Sequence, residues 1–151
     1  MGHHCVASPL GDLTLFEEHG ALVAIEWGRA PKGHSSPLLK EAAKQLAAYF
    51  DGKLTRFDLP LAPEGTRFQK AVWAQMRKIP FGQTRTYADL AKALDSAPRA
   101  VGGASGANPI PIVIPCHRVV GKNGTMVGYS GGSGVDTKAR LLHHEGAGVL
   151  I

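Results

Sequence analysis

The first part of the chain changes from an alternating pattern of apolar and polar positions to a helical one. Segment 6–27 is built of short alternating runs, with Leu13 and Leu15 on one face and a turn at Gly20. Alternation with a period of two indicates strands that expose one face to solvent. The segment therefore predicts an antiparallel meander.

A helix is predicted after a loop that is rich in Gly, Pro and Ser. Ser36 is a favourable N-cap residue, and Pro37 suits the first helical turn. Apolar residues then recur at spacings of three and four as far as Phe50, and Gly52 provides a stop. We expect the apolar face of this helix to pack on the strands. Residues 57–64, FDLPLAPE, predict one further short strand and then a linker.

A second set of helices is predicted beyond the linker. Thr66 can cap a helix with Val72 and Met76 on its apolar face, and Pro80 helps to end it. The segments TYADLAKALD and APRAVGGASGANP each predict a short helix, and a helix, tight turn and helix form a DNA-binding geometry. The pattern predicts an α+β (mixed α/β) fold. A small N-terminal antiparallel sheet plus helix would occupy residues 1–63, and a mostly helical domain with a winged-helix-like helix-turn-helix would occupy residues 64–151.

Charge divides the chain at the same place. Residues 1–63 hold six Lys and Arg against seven Asp and Glu, a net charge of −1, whereas residues 64–151 hold eleven against five, a net charge of +6. A basic domain is typical of contact with a polyanion such as DNA, although a solvated basic face gives the same count. No apolar run approaches the roughly 20 residues of a membrane span, and the N-terminus lacks the pattern of a secretory signal. A cytoplasmic location is expected.

The second helix of the predicted pair has very small side chains. Residues 100–107 read AVGGASGA, and a glycine inside a helix costs about 1 kcal/mol relative to alanine. Such a helix lets its backbone approach another surface, which is either a narrow DNA groove or a neighbouring element of the same protein. Arg99 in its first turn is placed either to probe a base stack or to lie in solvent.

The candidate for chemistry is a cysteine that follows an apolar run. In IPIVIPCHRVV, residues 110–114 have the β-branched composition of a short buried strand, which a proline ends just before Cys116. A thiol among apolar groups is inert unless a basic partner generates the thiolate. His117 is adjacent, and either Glu145 or Asp136 could fix its tautomer. A buried structural cysteine is the alternative interpretation.

Metal binding has little support in the sequence. His3, His4 and Cys5 cluster near the N-terminus, but no spacing supplies a four-ligand zinc set. The two cysteines lie 111 positions apart, so no disulfide framework is expected. We predict that the protein uses no metal and no other cofactor.

The order of these segments resembles a known family. IPCHRVV, preceded by RAVGGASGANP and followed by GYSGG and LLHHEG, resembles the O6-alkylguanine-DNA alkyltransferases, also called methylated-DNA-protein-cysteine methyltransferases. The resemblance covers residues 65–146 and includes GTRFQKAVW and IPFGQTRTYADLA. It implies DNA repair by direct reversal, in which a monomer moves the alkyl group of O6-alkylguanine irreversibly to its own cysteine and reacts once. It leaves O4-alkylthymine open as a further substrate.

The resemblance also implies roles for individual residues. Cys116 is the expected nucleophile, His117 relays its proton through a water toward Glu145, and Asn108 braces the turn around the thiol. The partner is double-stranded DNA, entered from the minor groove, with the damaged base flipped out. Tyr87 helps to rotate the nucleotide out, and Arg99 fills the vacated stack. The remaining expected substrate contacts are Tyr129, Ser130, Gly131, Val119 and Pro111. The remaining expected DNA contacts are Ala100, Gly102, Gly103, Ser105 and Lys122.

Two other functions would use the same features. A non-catalytic sensor would bind alkylated DNA through the same helix pair, but binders of that type carry a different residue at the position of Cys116. A cysteine hydrolase would use Cys116 and His117 on an acyl substrate and would leave the DNA-facing features without a purpose. For the alkyltransferase, association with the nucleoid is expected when the protein is bound to DNA.

Overall fold

The computed structural model describes residues 2–31, 33–125 and 134–147. The chain forms two compact units, Met1–Glu64 and Gly65–Ile151. Within the described ranges, the first unit holds a three-stranded sheet and one helix, and the second holds four helices and a short two-stranded ladder. The predicted mixed α+β class is therefore confirmed. None of the helices in these ranges combines the length and the apolar character that a membrane crossing requires.

The sheet of the first unit is antiparallel, with its strands in the order β1 (Gly2–Val6), β2 (Leu13–Glu18) and β3 (Ala21–Trp27). The predicted meander is confirmed for β2 and β3, which are joined at Gly20, where φ is +77°. Strand β1 lies almost wholly before the predicted segment. Its sequence GHHCV has no alternation of apolar and polar residues, and every position is half-buried.

Helix α1 (Pro37–Phe50) covers this sheet, as its periodicity predicts. The Ser36 hydroxyl accepts a hydrogen bond from the Leu39 amide at 3.1 Å, so the predicted N-cap is confirmed. The prediction of a strand in residues 57–64 is wrong. The segment meets β3 only at a single bridge between Leu61 and Leu22, because prolines at 60 and 63 interrupt the supply of amide donors.

The second unit is built on three packed helices, α2 (Arg67–Arg77), α3 (Tyr87–Ala93) and α4 (Pro98–Gly106). Thr66 caps α2 as predicted. The predicted helix pair is also confirmed, with residues 94–97 as the turn between α3 and α4. The Trp73 indole on α2 donates to the Ala104 carbonyl at 2.9 Å inside the core, and this bond fixes α4 against α2.

Two further elements complete the second unit. Strands β4 (Arg85–Thr86) and β5 (Val119–Val120) form a parallel ladder, and α5 (Val135–His144) packs against the turn Cys116–Arg118. Strand β4 leads directly into α3, and β5 directly follows the Cys116–Arg118 turn. The ladder therefore ties the start of the helix pair to the segment that carries the thiol.

The prediction of a buried strand over residues 110–114 is wrong. The segment is a series of turns, in which the Val113 amide donates to the Pro111 carbonyl and the Ile114 amide donates to the Ile110 carbonyl, both at 2.9 Å. Ile112 has φ of +73°, a conformation that β-branched residues rarely adopt. The composition predicts burial correctly, since all five residues are buried, but prolines on both sides of the run prevent a ladder.

Candidate active site

Cys116 opens a single 3₁₀ turn, Cys116–Arg118, whose three residues are all buried. The thiol-bearing residue is 7% exposed, so it is close to the surface without being open to it. Burial raises the pKa of the Cys116 thiol above its ordinary value, while a hydrogen bond from Asn108 and the charge of Lys138 act in the opposite direction. Because burial has the largest effect, the resting thiol is protonated at neutral pH and needs a base.

His117 is completely buried, and its Nε2 lies 2.8 Å from Oε2 of Glu145. An ionised carboxylate can only accept, so Nε2 carries the proton and Nδ1 is left as the acceptor. Nδ1 has no hydrogen-bond partner among the described residues. Burial also lowers the pKa of His117, which keeps the imidazole neutral at neutral pH. Of the two acceptors that the sequence leaves open, Glu145 is the partner, whereas Asp136 is exposed in the first turn of α5.

Arg118 is a charged residue at the site that sequence analysis does not identify. Its Nε donates to Glu145 Oε1 at 2.8 Å, its Nη2 donates to Glu145 Oε2 at 3.0 Å, and its Nη1 donates to the Ile79 carbonyl at 2.7 Å. Both partners are buried, with Arg118 at 6% and Glu145 at 4% exposure. Glu145 is thus shared between His117 and Arg118. The one signal in the sequence is an arginine placed inside an otherwise apolar run.

Asn108 holds the turns that precede the thiol. Its Nδ2 donates to the Ile114 carbonyl at 2.9 Å, and its Oδ1 accepts from the Ile110 amide at 3.0 Å. Both backbone groups belong to buried residues, so this side chain replaces the strand partner that the segment lacks. The bracing contacts expected for Asn108 are present in the structure.

Tyr87 and Lys138 form a second polar pair close to the thiol. Lys138 is fully buried, and its Nζ donates to the Tyr87 hydroxyl at 3.3 Å and lies 5.5 Å from the centre of the Tyr87 ring. Burial lowers the pKa of Lys138 to about 8, with the charge of Cys116 opposing the shift. Burial likewise raises the pKa of Tyr87. Sequence analysis misses Lys138, because nothing in its local pattern separates it from the exposed residues of α5.

The expected DNA-contact residues of α4 do not all face the same way. Arg99, Ala100 and Gly103 are exposed and Gly102 is half-buried, whereas Ser105 is buried at 4% exposure and its side chain hydrogen-bonds Tyr87. The expectation that Ser105 lies on the DNA-facing surface is therefore wrong. A buried hydroxyl needs a partner inside the fold, and Tyr87 supplies it.

The glycines of α4 face open space. A Cβ atom added at Gly102, Gly103 or Gly106 would meet no atom within 4 Å outside the backbone of α4 itself. Among the described residues, none packs closely enough on these positions to require a glycine. Within the described ranges, close internal packing therefore does not explain these glycines, and the bare backbone of this face is open to another molecule.

The remaining expected residues lie in three settings. Pro111 and Val119 are buried, and Val119 pairs with Arg85 in the parallel ladder. Lys122 is exposed. The structure does not describe Tyr129, Ser130 or Gly131, which lie outside the described residues.

The first unit contains a pocket lined by residues that include His3, His4 and Cys5. Nε2 of His3 lies 2.6 Å from the Pro31 carbonyl, and the Cys5 sulfur is 3.5 Å from the Thr14 hydroxyl. In residues 2–31, 33–125 and 134–147, no three His, Cys, Asp or Glu side chains are grouped so as to hold a metal ion.

The comparisons with known proteins agree on one family. Residues 67–147 match the family described as 6-O-methylguanine DNA methyltransferase, DNA binding domain, and residues 1–63 match its ribonuclease-like domain. These two matches cover nearly the whole chain. The chain belongs to the 6-O-methylguanine DNA methyltransferase family.

Individual relatives match over almost their full length. The methylated-DNA-protein-cysteine methyltransferase of Methanosarcina acetivorans is 44% identical over 93% of this chain and 95% of its own. The constitutive enzyme of that name from Bacillus subtilis is 41% identical over 91% of both chains. The crystal structure of Mycobacterium tuberculosis OGT in complex with DNA superposes with a TM-score of 0.86 at 39% identity, covering 99% of this chain and 95% of that one.

Proposed function

We propose that this protein repairs DNA by transferring the alkyl group of O6-alkylguanine to the sulfur of Cys116. The observation that carries the assignment is the chain of contacts behind the thiol. Cys116 begins a turn whose next residue, His117, has one ring nitrogen on Glu145 and the other without a partner among the described residues. Family membership and the names of the relatives support the same activity.

The reaction is a displacement at a saturated carbon. The thiolate sulfur forms a bond to the alkyl carbon as the bond from that carbon to O6 breaks, and the electron pair of the broken bond remains on the guanine. The thiol proton passes to Nδ1 of His117 through one water, and the resulting imidazolium is stabilised by Glu145. The product is a thioether, which has no easy hydrolysis route. Each molecule of protein therefore reacts once.

The proposed partner is double-stranded DNA with the damaged base flipped into the site from the minor groove. The second part of the chain carries the positive charge, and the exposed glycine-rich face of α4 lets a narrow groove approach the backbone. Arg99 stands exposed in the first turn of α4, where it can fill the space that the base leaves. Tyr87 lies at the start of α3 and assists the rotation of the nucleotide. We propose that the protein acts as a monomer in the cytoplasm, at the nucleoid.

The activity is tested by reacting the purified protein with duplex DNA that contains O6-methylguanine. We expect the intact mass to rise by one methylene group, to stop at one equivalent, and to map to Cys116. Cys116→Ser should abolish transfer but retain DNA binding, whereas Cys5→Ser, the matched change at the half-buried cysteine of β1, should react normally. Tight binding without an adduct would favour the non-catalytic sensor, and an adduct on Cys5 would contradict the assignment.

A second experiment tests the insertion of Arg99. Arg99→Ala should slow repair of duplex DNA much more than reaction with free O6-benzylguanine, because the free base needs no flipping. Arg77→Ala, at an exposed arginine of α2, is the matched control. It should change the rates with duplex DNA and with the free base by more similar factors. Equal losses of Arg99→Ala on both substrates would count against insertion.

A further inference from the structure

We propose that Arg118 is a positioning residue for alkyl transfer, which keeps Glu145 ionised and thereby fixes His117 in the tautomer whose Nδ1 can take the thiol proton. The inference rests on the proposed function. It adds Arg118 to Cys116, His117 and Glu145 as a fourth residue of the proton relay. Arg118 acts on the thiol only through Glu145 and His117.

The contacts of Arg118 are arranged to hold a charge. Two of its nitrogens bind the two oxygens of one carboxylate, at 2.8 and 3.0 Å, which is the bidentate geometry that an arginine forms with an ionised acid. Its third nitrogen is fixed on the Ile79 carbonyl, and its guanidinium carbon lies 5.9 Å from the centre of the Phe81 ring. Arg118 therefore has little freedom to leave Glu145.

The state of Glu145 decides what His117 can do. A carboxylate at Glu145 forces the proton of the neutral imidazole onto Nε2, and Nδ1 keeps a lone pair for the thiol proton. A protonated Glu145 could instead donate to Nε2, which would move the ring proton to Nδ1 and remove the base. Burial favours the protonated acid, because the ionised form loses its hydration. The guanidinium opposes this effect and keeps the acid ionised.

Other polar groups also surround the carboxylate and the imidazole. Lys138 on α5 acts electrostatically on both Cys116 and His117, and its Nζ donates to the Tyr87 hydroxyl at 3.3 Å. The Gly82 amide approaches Glu145 Oε1 at 3.5 Å, and it carries no charge. Cys116 and His117 are the remaining titratable groups of the turn. Arg118 differs from these groups in that it is a cation that binds both oxygens of the Glu145 carboxylate through short hydrogen bonds.

The tautomer of His117 can be measured in the unmodified full-length protein. In ¹⁵N spectra of histidine-labelled protein, with His117→Gln to assign the signal, we expect a proton on Nε2 and none on Nδ1 throughout the neutral range. A proton on Nδ1 in the unmodified protein would overturn the proposal. This measurement depends neither on activity nor on any Arg118 variant being folded.

The variants to compare are Arg118→Lys, which keeps a positive charge, and Arg118→Met, which removes it. Single-turnover reaction with free O6-benzylguanine should slow on the order of a hundredfold for Arg118→Met, which is the lower end of the range for a lost general base, and about tenfold for Arg118→Lys, which keeps the charge. The loss in Arg118→Met should shrink at higher pH, as Glu145 ionises again. Arg77→Met, at an exposed arginine of α2, should react like the unmodified protein.

The pH profile separates positioning from a purely structural role. If Arg118 only stabilised the fold, Arg118→Met would react more slowly by the same factor at every pH, and the proton of His117 would stay on Nε2. That result would overturn the proposal. If Arg118→Met does not fold, the unmodified protein and Arg118→Lys decide the question. Failure of the unmodified protein to react with O6-alkylguanine would instead contradict the proposed function, while the tautomer measurement would still stand.

Discussion

Oε2 of Glu145 lies 2.8 Å from Nε2 of His117, although 28 positions separate the two residues in the sequence. The contact joins the turn that carries the thiol to the residue that directly follows α5. It orients the imidazole so that its second nitrogen has no other partner among the described residues. The geometry is that of a base held in place by an acid.

Replacing Glu145 by glutamine should slow alkyl transfer while leaving DNA binding nearly intact. The amide oxygen can still accept from Nε2, but it has no charge to stabilise the imidazolium that forms when the thiol gives up its proton. We expect single-turnover transfer from free O6-benzylguanine to fall on the order of a hundredfold. The control is Glu64→Gln, at an exposed position. An unchanged rate for Glu145→Gln would show that the proton leaves the thiol by another route.

Replacing Asn108 by alanine should destabilise the second unit and reduce the fraction of Cys116 that is thiolate. Two buried backbone groups, the Ile114 carbonyl and the Ile110 amide, would lose their partner. We expect a loss of about 2 to 6 kcal/mol in the free energy of unfolding, since each of the two unsatisfied groups costs about 1 to 3 kcal/mol. The pKa of Cys116 should rise further, because the Asn108 hydrogen bond lowers it.

Denaturant unfolding and the pH dependence of thiolate absorbance measure the two effects of Asn108→Ala separately. Asn123→Gly serves as the control, because Asn123 is exposed and its φ of +61° suits glycine. If Asn108→Ala were as stable as the unmodified protein, other groups would have to hydrogen-bond the Ile110 amide and the Ile114 carbonyl.

Replacing Gly102 and Gly103 by alanine should separate folding from DNA repair. An added methyl group meets no atom within 4 Å outside the helix, and alanine favours a helix by up to about 1 kcal/mol per position over glycine. The double variant should therefore melt at a higher temperature. It should repair duplex DNA more slowly, because the methyl groups would hold the groove away from the backbone of α4. Reaction with free O6-benzylguanine should be unaffected, and equal slowing on both substrates would contradict the assigned face.

Replacing Lys138 by methionine should slow transfer in a pH-dependent way. The Lys138 charge lowers the pKa of Cys116, so removing it should reduce the thiolate population about tenfold for each unit by which that pKa rises. The pKa of Lys138 itself is about 8, so its charge is present below that pH and is lost above it. The rate difference between the unmodified protein and Lys138→Met should therefore be largest below about pH 8 and shrink above it.

A series of single-turnover rates across this range is the measurement, with Lys92→Met at an exposed position of α3 as the control. A constant ratio of rates would mean that the Lys138 charge does not reach the thiol. The same shift affects stability. The unfolded chain holds the Lys138 proton up to its ordinary pKa of 10.5, so the contribution of this group to stability rises with pH between about 8 and 10.5.

Local rules of sequence account for much of the fold. The spacing of apolar residues and the capping residues Ser36 and Thr66 predict α1 and α2, because both signals act within one or two turns of helix. The segment 110–114 shows the opposite case. Its apolar content predicts burial, but the backbone path depends on hydrogen bonds from Asn108, which a composition cannot encode.

The candidate site was accessible from sequence only in part. The cysteine, the adjacent histidine and Glu145 can be selected by chemistry and by resemblance. Arg118 and Lys138 escape both, because their partners lie 27 and 51 positions away and their charges are expected to face solvent. Burial of a charge is decided by tertiary contacts, and the local pattern around each residue is uninformative.

The position of Glu145 also orders events during synthesis. A ribosome delivers the chain from its N-terminus, so Cys116 and His117 emerge well before α5 and the carboxylate behind it. Until α5 docks, the imidazole lacks the carboxylate that orients it. The proton relay behind Cys116 is therefore assembled only when the end of the second unit has folded, although the thiol and the histidine are neighbours in the chain from the start.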